Sequence, residues 1–275
     1  MGDIGRQARK VADGAEDATD SKPFLLAARA GYVAAGILHI LIGVIAFRVA
    51  SGGSGSADQS GAMASLAGSP GGGILLWVCF LGCSALALFL LSEVLFTPRR
   101  LSGKEKATFR LKNGGKAVIY AAIGLAFLQY AMGGSSDSDS ATQSTSAALM
   151  ANPAGTALLL AVGVGILAIG GYFVYRGITK KFEENLTGKP SGSAGRAVTM
   201  LGSVGYVAKG IALGVLGLLL AIATVRNNPE ESTGLDGALK SLQEQPFGVW
   251  ILGAVALGLI AYGIFMIVRS RYQRM

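Results

Sequence analysis

Six apolar stretches, each about as long as a bilayer is thick, constrain the fold of this 275-residue chain more than any other feature. A helix needs roughly 20 apolar residues to cross the hydrocarbon core, and a helix satisfies its own backbone hydrogen bonds there. Charged residues make up only 15% of the chain. The sequence therefore predicts an all-α polytopic membrane protein with six transmembrane helices. The predicted spans cover residues 24–49, 73–96, 115–132, 154–178, 198–224 and 247–268.

The basic residues fix a predicted orientation. Of the 24 Lys and Arg residues, 20 lie in or next to the N-terminal segment, the links after the second and fourth spans, or the C-terminal tail. By the positive-inside rule, both termini are expected in the cytoplasm. The net charge of +8 is then a topology signal, and no nucleic-acid partner is predicted. Residues 1–23 mix acids and bases without an apolar stretch, which predicts a disordered cytoplasmic arm and no cleavable signal peptide.

Tandem repeats divide the chain. The pattern Leu-x-x-x-Pro precedes each even-numbered span, and a glycine follows each proline by twelve residues. Proline is favoured at the first position of a helix, so each proline marks a helix entry. The three copies begin with Leu66 and Pro70, Leu149 and Pro153, and Leu242 and Pro246. We therefore predict three repeats of two helices, over residues 24–108, 109–195 and 196–275.

A stripe of small residues recurs in the odd-numbered spans. Gly31-Tyr32 and the residues after it align with Gly205-Tyr206 of the fifth span, and the third span is a weaker copy. The aligned positions are spaced i, i+4 and i+7, which places them on one helix face. Small faces allow helices to approach closely in lipid. The predicted small-residue stripe is Gly36, Gly43, Ala117, Ala121, Gly124, Gly210, Gly214 and Gly217.

Because each repeat has two helices, all three repeats have the same orientation in the membrane. The predicted architecture is three parallel helical hairpins, related by a pseudo-threefold axis along the membrane normal. The Ser- and Gly-rich links over residues 51–73 and 133–152 are expected to be flexible and solvated.

The repeated Gly-Tyr-x-Ala-[Lys/Arg]-Gly start and the Pro-Phe-Gly entry of the last span resemble a bacterial membrane family, domain of unknown function 1206. The resemblance covers residues 24–272. The third repeat matches best, the first has Ala35 in place of the basic residue, and the second lacks the Gly-Tyr pair. The family typically has three repeats and is common in actinobacteria. The resemblance implies a bacterial cytoplasmic membrane and no catalytic activity.

Four residues form a candidate polar layer inside the membrane: His39, Tyr120, Lys209 and Glu93. Intramembrane ionisable groups are functional candidates by default. His39 aligns with Tyr120, so a proton-relay or ligand role competes with a neutral imidazole that is hydrogen-bonded to Tyr120 or to a carbonyl. Lys209 aligns with Lys116, about one turn from the level of His39. It is either an interfacial anchor or a residue that lines a pore or binds a lipid headgroup.

The remaining candidates favour structural roles. Glu93 replaces a basic residue of the other repeats and is expected to form a salt bridge with Arg99, Arg100 or Lys116. Cys79 and its neighbour four residues on are expected to pack as small apolar side chains. No metal, cofactor or catalytic residues are predicted, because no nucleophile and base pair or ligand set is evident.

Two functional hypotheses remain. The first is a non-enzymatic membrane component: a scaffold, an assembly factor or an accessory subunit. The second is a small transporter or channel that uses the pseudo-threefold axis near His39 and Tyr120. The expected partners are the lipid bilayer, anionic lipid headgroups at the cytoplasmic face, and possible contacts with another membrane protein.

Overall fold

The computed structural model describes residues 22–95, 102–186, 188 and 191–272. These residues are almost entirely helical, and no β-strand occurs among them. The long helices are α1 Lys22–Ala50, α3 Gly72–Leu95, α4 Gly103–Ala131, α6 Pro153–Ile178, α7 Gly192–Val225 and α9 Gly248–Tyr272. Three short helices lie between them: α2 Gln59–Ala67, α5 Ser138–Met150 and α8 Leu235–Gln243. Short 3-10 turns follow α6 at Lys181–Asn185 and α7 at Pro229–Glu231.

Five helices are long and apolar enough to cross a membrane: α1 from Arg29 onward, α3, α6, α7 and α9. They coincide with five of the six predicted spans. The third predicted span lies within α4, which is a continuous helix of 29 residues but is not among the five. Lys116 and Gln129 fall within that stretch and lower its apolar character. The described residues are therefore all-α, with five candidate membrane spans.

Helix α4 begins twelve residues before the predicted third span. A capping box starts it: the Ser102 side chain accepts from the backbone at Glu105, and the Ser102 backbone N–H donates to Glu105 Oε2 at 2.8 Å. This arrangement satisfies two amide groups that a helix start otherwise leaves unpaired. These hydrogen bonds also lower the pKa of the Glu105 carboxyl. The basic link after the second span is thus helical from Gly103 onward.

The Ser- and Gly-rich links are not the flexible segments that the sequence predicted. Residues 51–73 contain α2 and residues 133–152 contain α5. Aspartates start both helices: Asp58 accepts from the Gly61 amide at 2.8 Å, and Asp137 accepts from the amides of Asp139 and Ser140. Both helices contain several alanines, and alanine has the highest helix propensity. Capping and propensity therefore outweigh the polar composition of these links.

The three short helices, α2, α5 and α8, form what we call the cap. Its contacts are polar and partly buried. Asp236 Oδ1 accepts from the Ala57 amide at 2.7 Å, and its other oxygen accepts from Lys240 Nζ at 2.6 Å. Asp139 Oδ1 accepts from the Gly234 amide at 2.7 Å. Each repeat therefore contributes one short helix before its second long helix, and side-chain carboxylates join these segments.

Packing divides the chain into two compact units. Among the described residues, one comprises residues 22–35, 69–95 and 102–133, and the other comprises residues 36–68, 134–186, 188 and 191–272. The division falls within α1, between Ala35 and Gly36. The predicted N-terminal arm covers residues 1–23. Residues 1–21 lie outside the described residues, and residues 22 and 23 lie in α1. The units are defined by packing and the repeats by sequence. Because the two divisions differ, the packing does not test the repeat boundaries, which stay predictions.

Glycines of the predicted stripe lie where long helices approach closely. Within the second unit, a Cβ added at Gly36 of α1 would lie 2.7 Å from the Gly263 carbonyl oxygen of α9. A Cβ at Gly43 would lie at the same distance from the carbonyl oxygen of Ala256. Even an alanine methyl group has no room at either glycine.

The contact between α7 and α6 uses equivalent positions. A Cβ at Gly210 would lie 2.6 Å from the Gly170 carbonyl oxygen, and one at Gly217 would lie 2.7 Å from that of Gly163. In the repeat alignment, Gly210 and Gly217 of α7 correspond to Gly36 and Gly43 of α1. Their contact partners correspond as well: Gly170 of α6 aligns with Gly263 of α9, and Gly163 aligns with Ala256. The two helix pairs therefore pack in the same register.

The rest of the stripe packs less tightly. In the first unit, a Cβ at Gly124 of α4 would meet Ser84 Oγ of α3 at 3.4 Å, which is ordinary close contact. Ala117 is buried but Ala121 is exposed. A Cβ at Gly214 would meet only Leu167 Cδ1, at 3.9 Å. The α4 stripe is thus looser than those of α1 and α7.

Adjacent glycines of α6 provide a matched test of close packing. A Cβ at Gly170 would lie 2.6 Å from the Gly214 amide nitrogen, whereas one at Gly171 would meet nothing within 4 Å. Both substitutions gain the same helix propensity, up to about 1 kcal/mol. We expect Gly171→Ala to preserve or raise the melting temperature in detergent, and Gly170→Ala to cost about 1–3 kcal/mol through overpacking. Equal melting temperatures for the two variants would contradict this packing.

The folded cap should become more stable as pH falls. Burial raises the pKa of the Asp139 carboxyl, the nearby carboxylates of Asp236 and Asp58 raise it further, and the Gly234 hydrogen bond opposes them. An acid with a raised folded-state pKa holds its proton more tightly when folded, so its unfavourable contribution grows as pH rises through that pKa. We expect Asp139→Asn, which keeps the acceptor for Gly234, to raise the melting temperature at about pH 7 but not at about pH 4. An equal effect at both pH values would argue against a titrating Asp139.

Candidate functional site

The candidate site is a pair of ionisable side chains within the second unit. His39 lies on α1 and Lys209 lies near the middle of α7, and Lys209 Nζ is 3.0 Å from His39 Nε2. An ammonium group has three donors and no acceptor, so a charged Lys209 needs a lone pair on Nε2. The imidazole proton is then on Nδ1, and the pair carries one positive charge rather than two.

Aromatic rings surround the pair. Lys209 Nζ lies 4.5 Å from the ring centroid of Tyr262 on α9 and 5.3 Å from that of Phe173 on α6. The Tyr262 ring also contacts the imidazole of His39, with centroids 4.8 Å apart. A desolvated cation over an aromatic face gains about 2 kcal/mol. Four helices of one unit thus supply a cage that stabilises a single cation within the candidate membrane spans.

A second cluster lies one turn earlier on α7, around Tyr206. Its ring stacks between Phe173 and Phe182, at centroid distances of 5.3 and 5.1 Å. Arg269 donates to the Tyr206 hydroxyl at 3.1 Å, and the guanidinium carbon of Arg176 lies 5.5 Å from the ring centroid. Arg269 is only 8% exposed. Tyr206 therefore contacts one basic side chain of α6 through its ring and one of α9 through its hydroxyl.

Glu93 and Tyr120 lie in the first unit. Glu93 Oε2 accepts from Asn113 Nδ2 at 3.0 Å, and Lys116 Nζ donates to Asn113 Oδ1 at 3.3 Å. Asn113 therefore links the carboxylate to the lysine. The other two predicted salt-bridge partners of Glu93, residues 99 and 100, lie outside the described residues. The Tyr120 ring packs edge-on against Tyr32, with centroids 5.9 Å apart.

The predicted polar layer is thus partly assembled by the described contacts. They bring His39 and Lys209 together, although the sequence alignment put Lys209 one turn away as an anchor or pore residue. The hydrogen bond between His39 and Tyr120 stays a prediction. Cys79 and Cys83 are buried free thiols on α3.

Sequence reasoning did not identify the aromatic partners Tyr262, Phe173 and Tyr206 as part of the site. A signal for Tyr206 was present, since the Gly-Tyr pair repeats at Tyr32. No such signal marks Tyr262, because its equivalents in the other repeats are Leu86 and an isoleucine. Only the packing of α9 against α7 brings Tyr262 to Lys209.

These features are those of an all-helical protein with five candidate membrane spans and a caged lysine within one of them. The chain belongs to the family described as Domain of Unknown Function (DUF1206), whose model matches residues 30–96, 111–180 and 204–273. The resemblance inferred from the repeat motifs is therefore confirmed, including the three copies. No solved structure matches the chain.

A relative in Bacillus subtilis (strain 168), the uncharacterized protein YxxB, is 30% identical over 259 residues. The match covers 93% of this chain and 94% of the relative. The two proteins are therefore similar over nearly their whole lengths, including all three matched repeats.

The cage predicts an asymmetric response to mutation. His39→Leu leaves the Lys209 ammonium without its acceptor and should cost about 1–3 kcal/mol. Lys209→Met removes the cation and keeps the side-chain volume, and such replacements are often neutral or stabilising. We therefore expect the double variant to melt at a higher temperature in detergent than His39→Leu alone. Additive losses in the double-mutant cycle would show that the two side chains are not coupled.

Proposed function

We propose that this protein is a non-enzymatic scaffold, assembly factor or accessory subunit of a bacterial cytoplasmic membrane. The observation that carries the proposal is the exposure of α6. Only 17% of the 18-residue apolar stretch of α6 is buried, against 39–56% of the corresponding stretches in the other four candidate spans. Neither the matched family nor the relative names a catalytic activity. An apolar helix with a free face is suited to receive a helix of another membrane protein.

The exposed face of α6 has the small residues that such contacts use. Ala161, Gly165 and Ala168 are spaced i, i+4 and i+7, and Tyr172, 52% exposed, continues the same face. A Cβ at Gly165 would meet nothing within 4 Å. Small residues allow two helix backbones to approach closely in lipid. This face is separate from the glycines of α6 that pack on α7.

The proposed architecture is six spans in three parallel hairpins, with both termini in the cytoplasm. The matching register of the α1–α9 and α7–α6 contacts supports equivalent packing between the first helix of one repeat and the second helix of another. Helix α4 has 29 residues, more than the roughly 20 that a span requires. The clustering of Lys and Arg supports the orientation. Anionic lipid headgroups are then the partners of the basic ends.

The transport alternative depends on the Lys209–His39 pair. Buried ionisable groups in transporters mark substrate or proton pathways. The caged geometry equally suits a static cation, because each acceptor or aromatic face around Lys209 Nζ stabilises the charge. A transporter would lose solute uptake or conductance in proteoliposomes when His39 is replaced by leucine.

The scaffold proposal predicts a partner that depends on α6. In affinity purification from native membranes, we expect the wild-type protein to retain a membrane protein at near-equal stoichiometry. Gly165→Leu should reduce that retention at least about fivefold, a loss of about 1 kcal/mol. Gly253→Leu on α9 is the matched control, since a Cβ there also meets nothing within 4 Å.

The two outcomes that would contradict the scaffold proposal are distinct. One is the absence of any stoichiometric partner of the wild-type protein. The other is equal retention by the Gly165 and Gly253 variants when both melt like wild type. Solute flux that disappears with His39→Leu would support the transport alternative instead.

A further inference from the structure

A cleft runs along α7 from its first turn toward the middle of the helix, within the second unit. Its polar part, about 740 Å³, lies where the segment after α6 meets the start of α7. Its apolar part, about 460 Å³, continues between α6, α7 and α9. Lys180 and Ser203 line both parts, so the two are continuous. Both volumes are within the usual range of ligand sites.

The polar part is positively charged. Lys180 and Arg196 line it, and Glu183 is the one acid among its lining residues. The Glu183 carboxylate accepts a hydrogen bond from the Thr199 hydroxyl. The first turn of α7 also borders the cleft, and the side chain of its N-cap Ser191 makes no capping hydrogen bond. Amides at a helix start favour an anion, so the backbone adds to the attraction of the two cations.

The apolar part has the opposite character. It is lined mainly by aliphatic side chains of α7 and α9, among them Val204, Val207, Ile211 and Val255. These α7 residues lie within a candidate membrane span. Ser203 Oγ is located at the junction of the two parts, where it is buried and has no hydrogen-bond partner among the described residues. A ligand that fits must therefore be anionic at one end, polar at the junction and aliphatic beyond it.

We propose that this cleft binds one anionic glycerophospholipid. The phosphate group lies between Lys180 and Arg196, and an acyl chain follows Val204 and Ile211 into the apolar part. The Ser203 hydroxyl donates to an ester oxygen at the junction. Basic pockets between transmembrane helices at the cytoplasmic side are suited to acidic lipid headgroups. The inference does not depend on a protein partner of α6.

The backbone at Lys180 adopts a conformation that favours glycine. Lys180 follows α6 with φ of 57°, in the left-handed region. Glycine and asparagine are the residues that usually adopt this conformation after a helix. A lysine there is less favourable than glycine for the fold. Lys180→Gly therefore removes the charge without a conformational penalty, which makes it a clean variant for a binding test.

The test compares lipids on the purified full-length protein in detergent. Native mass spectrometry and thermal shift would be measured with phosphatidylglycerol and with phosphatidylcholine of identical acyl chains. We expect tighter binding of phosphatidylglycerol by wild type. Lys180→Gly combined with Arg196→Gln should weaken that binding roughly 10- to 30-fold and weaken phosphatidylcholine binding, which has no net charge to lose, by a smaller factor. Arg271→Gln is the control, because Arg271 is exposed and does not line the cleft.

A second variant tests the apolar part. Ala254 is exposed on α9 and lines it. Ala254→Phe should fill that space and weaken both lipids alike, while Lys180→Gly alone should melt no lower than wild type without lipid. Equal wild-type affinity for the two lipids, or wild-type binding by the charge variant, would overturn the proposal. Complete displacement of phosphatidylglycerol by inorganic phosphate would identify a free-anion site instead.

Discussion

Close backbone contact between helices is the interaction on which the structure depends. In lipid, helices gain no hydrophobic energy by associating, because acyl chains are as apolar as leucine. The attraction between helices must then come from dispersion forces, which require short distances between their backbones. The α1–α9 and α7–α6 contacts achieve this at equivalent glycines, where an added Cβ would fall within 2.7 Å of a carbonyl oxygen across the interface. Two contacts with one register imply that the repeat encodes an interface as well as a pair of helices.

This dependence explains what the sequence could predict. Span length and hydropathy are properties of single segments, so five helices fall where expected. The stripe was visible because Gly36 and Gly210 follow the same motif. The sequence did not show how closely each part of the stripe packs, because that distance depends on the opposite helix. Gly210 meets a glycine backbone in α6, whereas Gly124 meets Ser84 and Cys83 side chains in α3. The alignment treats these positions as equal, and packing does not.

The errors of prediction have two physical origins. Helices α2 and α5 of the cap were missed because composition suggested solvated links, while Asp58 and Asp137 provide N-caps that organise short helices locally. The Lys209–His39 contact was missed because alignment gives the level of a Cα and not the reach of a side chain. A lysine extends over more than one helical turn, and its ammonium group ends where acceptors and aromatic faces are available. Tertiary contacts of that kind leave no periodic signal in the sequence.

The chemistry of the protein lies in the differences between its repeats. The position of Glu93 in the first repeat is occupied by Arg176 in the second and Arg269 in the third. Its partner position changes in parallel: Asn113 faces Glu93 through a hydrogen bond, whereas Tyr206 faces Arg176 through its ring. A purely structural repeat has no reason to reverse a charge at one site and replace an amide by an aromatic ring at the other. In the second unit, basic side chains lie around Tyr206, at Lys209 and at the mouth of the α7 cleft. A function that uses anions or acidic lipids would act on this unit, and a function that only requires helix packing would use the repeated glycines.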